Sequence, residues 1–122
     1  MTKARPDRRV LPRRVPFMEK CVVEMPSGEP RETTLVNLNM VGGYVASNNS
    51  PALGERVVLR FKLPPNDIAM ALTGIVMWVN DRGPSPGQEV PPGFGVQFVA
   101  TSLEDAAALL RFVEENAAKP IS

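Results

Sequence analysis

Residues 55–63, ERVVLRFKL, set Val57, Leu59, Phe61 and Leu63 at every second position, with Arg56, Val58, Arg60 and Lys62 between them. A period of two describes a strand with one dry face and one wet face. Such a strand has to find partners, and the rest of the chain supplies them as further short runs divided by turn residues. Val15 to Met25 carries Phe17, Cys21, Val22 and Val23 and stops at Pro26-Ser27-Gly28-Glu29, where Pro and Gly stand at β-turn positions. Arg31 to Asn37 and Tyr44 to Ala46 read as two more strands, the second closed by SNNSPALGE. After PPND, Ala69 to Asn80 is long and apolar enough for a central strand, with Gly74 marking a bulge or bend and Trp78 reading as core. Asp81 to Gly93 holds four prolines and three glycines and reads as loop; Phe94 to Val99 is the last strand, with Phe94 in the core.

The period then changes. Thr101-Ser102-Leu103-Glu104 fits a capping box, with Thr101 as the cap. Leu103, Ala106, Leu110, Val113 and Ala117 form one stripe of a helix that Lys119-Pro120 ends. Six or seven short strands with tight connections, followed by one helix, predict a mainly β fold: a small antiparallel barrel, closed or nearly so, with the C-terminal helix lying on it.

Composition narrows the chemistry. The chain has no histidine and one cysteine, so no Ser/His or Cys/His nucleophile pair can form, and a zinc site is not expected. It has neither a GxxxxGK[ST] phosphate loop nor a GxGxxG fingerprint. Adjacent acids such as Glu104-Asp105 and Glu114-Glu115 point in different directions on a helix. The expectation is a binding module, with no catalytic residues, no metal and no cofactor. A single thiol, no long apolar run and no secretory pattern predict a cytoplasmic protein with no membrane insertion.

Charge is unevenly spread. Residues 1–20 hold seven basic and two acidic side chains, whereas the remainder holds seven basic and eleven acidic ones. Four arginines fall within RRVLPRR, residues 8–14, beside Pro6 and Pro12. Such a segment buries too little surface to offset its ordering entropy, so residues 1–14 are expected to form a flexible basic arm ahead of a barrel domain over 15–119. By itself the arm could bind nucleic acid or serve solubility. Nucleic acid is disfavoured by the acidic body and the 6% aromatic content.

Arg9 and Arg13 stand four apart, and downstream comes Asn37-Leu38-Asn39-Met40-Val41-Gly42-Gly43. The pair resembles the two-part signature of PilZ domains, RxxxR on an N-terminal arm and [D/N]xSxxG on an adjacent strand and turn. The order of "LGERVVLRFKLP", a long apolar strand ending in Trp, "GFGVQFV" and "SLEDAAALLRFVEE" is also similar to that family, over roughly residues 8 to 116.

The resemblance implies a six-stranded barrel that binds cyclic di-GMP and signals to a protein effector in trans. It implies that Arg9 and Arg13 grip guanine edges or phosphates in bidentate fashion, which the planar guanidinium fork suits. Arg8 matches a position that in some relatives holds a second ligand molecule. Asn37 would meet a guanine edge, and Gly42 and Gly43 would permit close approach or a positive φ. Asn39 stands where the family has serine, and Val41 precedes the Gly pair. The other reading keeps Asn37, Asn39 and the two glycines as turn chemistry. The protein is then a degenerate PilZ domain, an adaptor in motility or envelope regulation that does not bind the nucleotide.

Overall fold

The computed structural model describes residues 14–26, 28–81 and 91–117. The arm expected over residues 1–14 lies outside them except for Arg14. Six strands form: β1 (Val15–Glu24), β2 (Arg31–Leu38), β3 (Gly42–Ala46), β4 (Arg56–Leu63), β5 (Ile68–Asn80) and β6 (Gly93–Phe98), followed by helix α1 (Leu103–Ala117). They close a barrel in the order β1-β2-β3-β6-β5-β4, with every pairing antiparallel. The mainly β fold with one C-terminal helix is therefore as the sequence indicates, with six strands rather than seven.

β4 shows why the pattern is decisive. Val57, Leu59, Phe61 and Leu63 are buried in the barrel while Arg56, Arg60 and Lys62 face water. Leu35, Leu38, Val45, Leu72, Val76, Phe94 and Val96 complete the interior, and Cys21 behaves as a small apolar side chain within it, 1% exposed. Burial raises the Cys21 thiol from its ordinary 9.0 to about 12, against a small opposing pull from the Arg60 backbone amide.

Helix α1 closes the barrel through Leu109, Phe112 and Val113. Phe17 joins helix to sheet, its ring edge-on to Phe61 at 5.5 Å and to Phe112 at 5.4 Å; such pairs add about 0.5–1.5 kcal/mol beyond their buried area.

Four readings of the sequence are corrected. The helix cap is Ser102, whose Oγ accepts from the Asp105 amide at 3.0 Å, and not Thr101. Leu103 sits in the first turn at 90% exposure, and the buried stripe runs through Leu109, Phe112 and Val113 while Leu110 is 40% exposed. Gly74 is not a bulge. It pairs regularly with Val57 and Phe98, and the register slips at Met77, between Val76 and Trp78. That slip reverses the alternation, so Trp78 leaves the core and is 45% exposed.

Two measurements check these assignments. Ser102→Ala is expected to cost about 1 kcal/mol in urea unfolding, and Thr101→Ala a few tenths or less. Cys21 ties stability to alkaline pH. The unfolded thiol loses its proton near 9.0 and the folded one only near 12, so the unfolded chain holds fewer protons and stability falls as pH rises through that window. In Cys21→Ala this component of the fall is absent, as unfolding midpoints measured from pH 8 to 11 would show.

Candidate functional site

Two irregularities flank Asn37. Between β1 and β2 the register slips from Pro16↔Asn37 to Glu19↔Leu35, so Phe17 and Met18 together oppose Val36. Met18 takes a left-handed φ of 53° there and is 64% exposed. Between β2 and β3 the register moves from Leu35↔Val45 to Asn37↔Tyr44, which leaves Val36 as the extra residue. Bulges re-aim side chains. Here Leu35 and Leu38 both enter the core although they are three apart, and Asn37 is turned out of the barrel's apolar interior.

Cross-strand pairing then lines up one row across β1, β2, β3, β6 and β5: Pro16, Asn37, Tyr44, Gly95 and Trp78. Tyr44 belongs to the outer face, because its neighbour Val45 fills the core, yet it is only 1% exposed. Its hydroxyl donates to the Pro91 carbonyl at 2.6 Å and accepts from Asn80 Nδ2 at 3.3 Å. Burial pushes the phenol up from its ordinary value, partly offset by the Asn80 hydrogen bond. The Trp78 ring lies 5.3 Å from the Tyr44 ring, tilted by 41°, and beside Gly95, where an added Cβ would touch it at an ordinary 3.5 Å.

In this row Asn37 has a polar deficit. Its Oδ1 is buried and has no hydrogen-bond partner among the described residues. Buried acceptors are nearly always satisfied, so an orphan calls for a specific explanation.

The bend from β2 to β3 is built by Asn39, 3% exposed. Its Oδ1 accepts from the amides of Val41 at 2.8 Å and Gly42 at 2.9 Å, while its own amide donates to the Gly42 carbonyl at 2.9 Å. The Val41 carbonyl in turn accepts from the Phe98 amide at 2.8 Å, and its side chain stands 49% exposed at the apex. Gly42 and Gly43 are needed for close approach. A Cβ on Gly42 would run into the Val96 carbonyl oxygen, and one on Gly43 would lie 2.9 Å from the Asn37 carbonyl oxygen. Neither uses a positive φ; among the described glycines Gly28 and Gly54 do.

The structure thus brings Asn37, Asn39, Gly42 and Gly43 to one end of the barrel, and Arg8, Arg9 and Arg13 lie outside the described residues. Arg14, directly before β1, is exposed; partial desolvation lowers its guanidinium from the ordinary value and leaves it cationic at physiological pH. Sequence reasoning missed Tyr44 and Trp78 as members of the site. The signal for Tyr44 was its place two residues from Gly42, opposite Asn37, whereas Trp78 depends on a slip that an unbroken apolar run conceals.

Comparison with known proteins agrees with this fold. The PilZ domain family matches residues 7–115, and the chain belongs to that family of cyclic di-GMP-related regulatory receptors and adaptors, which are not enzymes. No curated protein matches the chain. Among solved structures, the Bacillus subtilis inhibitor of motility (MotI/DgrA) is similar with a TM-score of 0.64 at 20% identity, over 92% of this chain and 56% of that one. The present chain therefore spans little more than half the length of that protein, and the likeness is one of fold.

Stability measurements separate the residues of the bend. Asn39→Ala strands the buried Gly42 amide and the part-buried Val41 amide and is expected to cost about 2 kcal/mol; Asn39→Ser keeps a shorter acceptor and costs less. Asn37→Leu removes an acceptor that has no partner, so it stays within about 0.5 kcal/mol of the parent. Urea unfolding of the three variants measures the differences.

Proposed function

We propose that the protein is a cyclic di-GMP receptor and adaptor: the nucleotide gathers the N-terminal arm against the Asn37 end of the barrel, and a partner protein reads the altered surface. The observation that carries this reading is the unsatisfied Asn37 Oδ1 directly opposite Pro16. Arg13 precedes Pro16 by three residues, so its Cα lies within about 11 Å of that of Pro16 however the arm is arranged. An RxxxR segment is thus tethered beside a buried acceptor that lacks a donor.

Guanine supplies what the site lacks. Its N1–H and N2–H₂ groups donate, which suits Asn37 Oδ1, and its O6 and N7 accept from a bidentate arginine. Arg9 and Arg13 take guanine edges or phosphates, and Arg8 holds a second ligand molecule. The exposed face of Trp78 offers a purine a stacking surface further along the same row. Asn39, Gly42 and Gly43 contribute by fixing the bend and the close strand packing that set Asn37 in place. The protein works in the cytoplasm, where such a nucleotide is made; among the described residues no helix is long and apolar enough to cross a membrane.

A second reading has its own support. Asn39, at the family's serine position, commits its carbonyl to the turn, which favours an adaptor that acts without the nucleotide.

Calorimetric titration with cyclic di-GMP separates the two. On the receptor reading the parent chain binds saturably, and Arg9→Ala and Arg13→Ala each lose roughly 1–3 kcal/mol of binding free energy. Asn37→Leu loses affinity without losing stability. Absence of heat and of amide shifts at residues 37–43 leaves the adaptor reading standing.

A further inference from the structure

The other end of the barrel holds a second site. The last residues of β1 and β3 and the first of β2 and β6 surround a pocket of about 410 Å³, within the range of small-ligand and anchor pockets. Arg31 on its rim and Asn37 at the nucleotide end are six strand residues apart, or about 20 Å.

The pocket has an apolar floor of Val23, Met25, Phe94 and Pro51. Its walls are fixed by hydrogen bonds: Thr33 Oγ1 donates to the Ala46 carbonyl at 2.5 Å, and the Ser47 amide to the Pro92 carbonyl at 2.9 Å. Arg31 Nη1 donates to the Asn49 carbonyl at 3.0 Å, and the Asn49 amide to Ser47 Oγ at 3.1 Å, so the guanidinium is oriented before any ligand arrives.

Charge selects the occupant. Glu32, the one acid on the lining among the described residues, is engaged by Lys20 at 3.4 Å, whereas Arg31 makes no ion pair among them. A preformed apolar cavity under an uncompensated guanidinium complements a carboxylate attached to an apolar body. A single exposed cation gives a free small acid little affinity. The same contact serves well as the anchor of a broader protein interface, where a few pocketed side chains dominate binding.

The geometry points to this pocket as the docking site for a short segment of the partner protein that sets a Glu or Asp beside a large apolar side chain. It deepens the adaptor reading by naming the partner's chemistry and does not depend on the nucleotide. The pocket's Arg31 and the candidate nucleotide-contacting Asn37 stand about 20 Å apart along β2, so partner and cyclic di-GMP occupy opposite ends of that strand.

The test uses the full chain without nucleotide and follows backbone amide and methionine methyl signals by NMR. The probes are acetyl-Ala-Glu-Phe-Ala-amide, its Gln counterpart, and free 3-phenylpropionate. The Glu peptide is expected to shift Met25, Arg31 and Asn49 saturably, and the Gln peptide to bind about fivefold more weakly. Arg31→Gln is expected to bring the same loss with an unchanged urea midpoint, because Arg31 is exposed, and to leave cyclic di-GMP titration at residues 37–43 as in the parent. Failure of the nucleotide reading therefore shows at residues 37–43, and failure of this one at Met25 and Asn49. No shifts at about 10 mM peptide, the weak limit of a useful contact, would overturn the proposal. So would shifts centred elsewhere, equal binding of the Gln peptide, or binding of the free acid alone.

Discussion

Strands β2, β3 and β6 come together where two residues lack a Cβ. At Gly42 an added methyl group would collide with the Val96 carbonyl, and at Gly43 it would crowd both the Asn37 carbonyl and Leu35. With those positions bare, β3 pairs with both neighbours, Val45 reaches the core and Tyr44 falls opposite Asn37. Asn39 then holds the bend by replacing two missing backbone acceptors with its side-chain oxygen. The placement of the site follows from this local closeness. A wider β2–β3 spacing would lose the row that joins Asn37 to Tyr44 and Trp78.

Rigidity and irregularity are divided across the barrel. β4 and β5 pair in unbroken register over eight residues, from Arg56↔Ile75 to Leu63↔Ile68. The slips all occur in pairings on the site's own row: β1 against β2, β2 against β3, and β5 against β6. A regular ladder forces strict alternation, so it cannot present Asn37, Tyr44 and Trp78 outward while keeping Leu35, Leu38, Val45 and Val76 inside. Bulges resolve the conflict, at the cost of a left-handed Met18 and an unsatisfied Asn37 oxygen.

The same division explains what could be read beforehand. β4 was legible residue by residue because its alternation is undisturbed. The strand order and the helix were legible because turn residues and a change of period mark them. Trp78 was misread because one extra residue at Met77 inverts the parity, and nothing in AMALTGIVMWVN marks where that happens. The helix stripe was misplaced because Leu103, Ala106 and Leu110 are as apolar at helical spacing as Leu109, Phe112 and Val113, and only packing against β1 and the barrel core decides which face is buried. For the candidate site, motif spacing singled out Asn37 and the glycine pair, but only the backbone shows that close strand packing needs the glycines bare and that Asn39 holds the bend.

The chain contains one tryptophan and one tyrosine, and the fold sets them 5.3 Å apart on the outer row. At that separation the phenol passes its excitation to the indole almost completely, so the protein's ultraviolet emission comes from a single half-solvated chromophore. A molecule settling on that row would change the colour and yield of this emission. The molecule therefore carries its own optical gauge of whether that row is occupied.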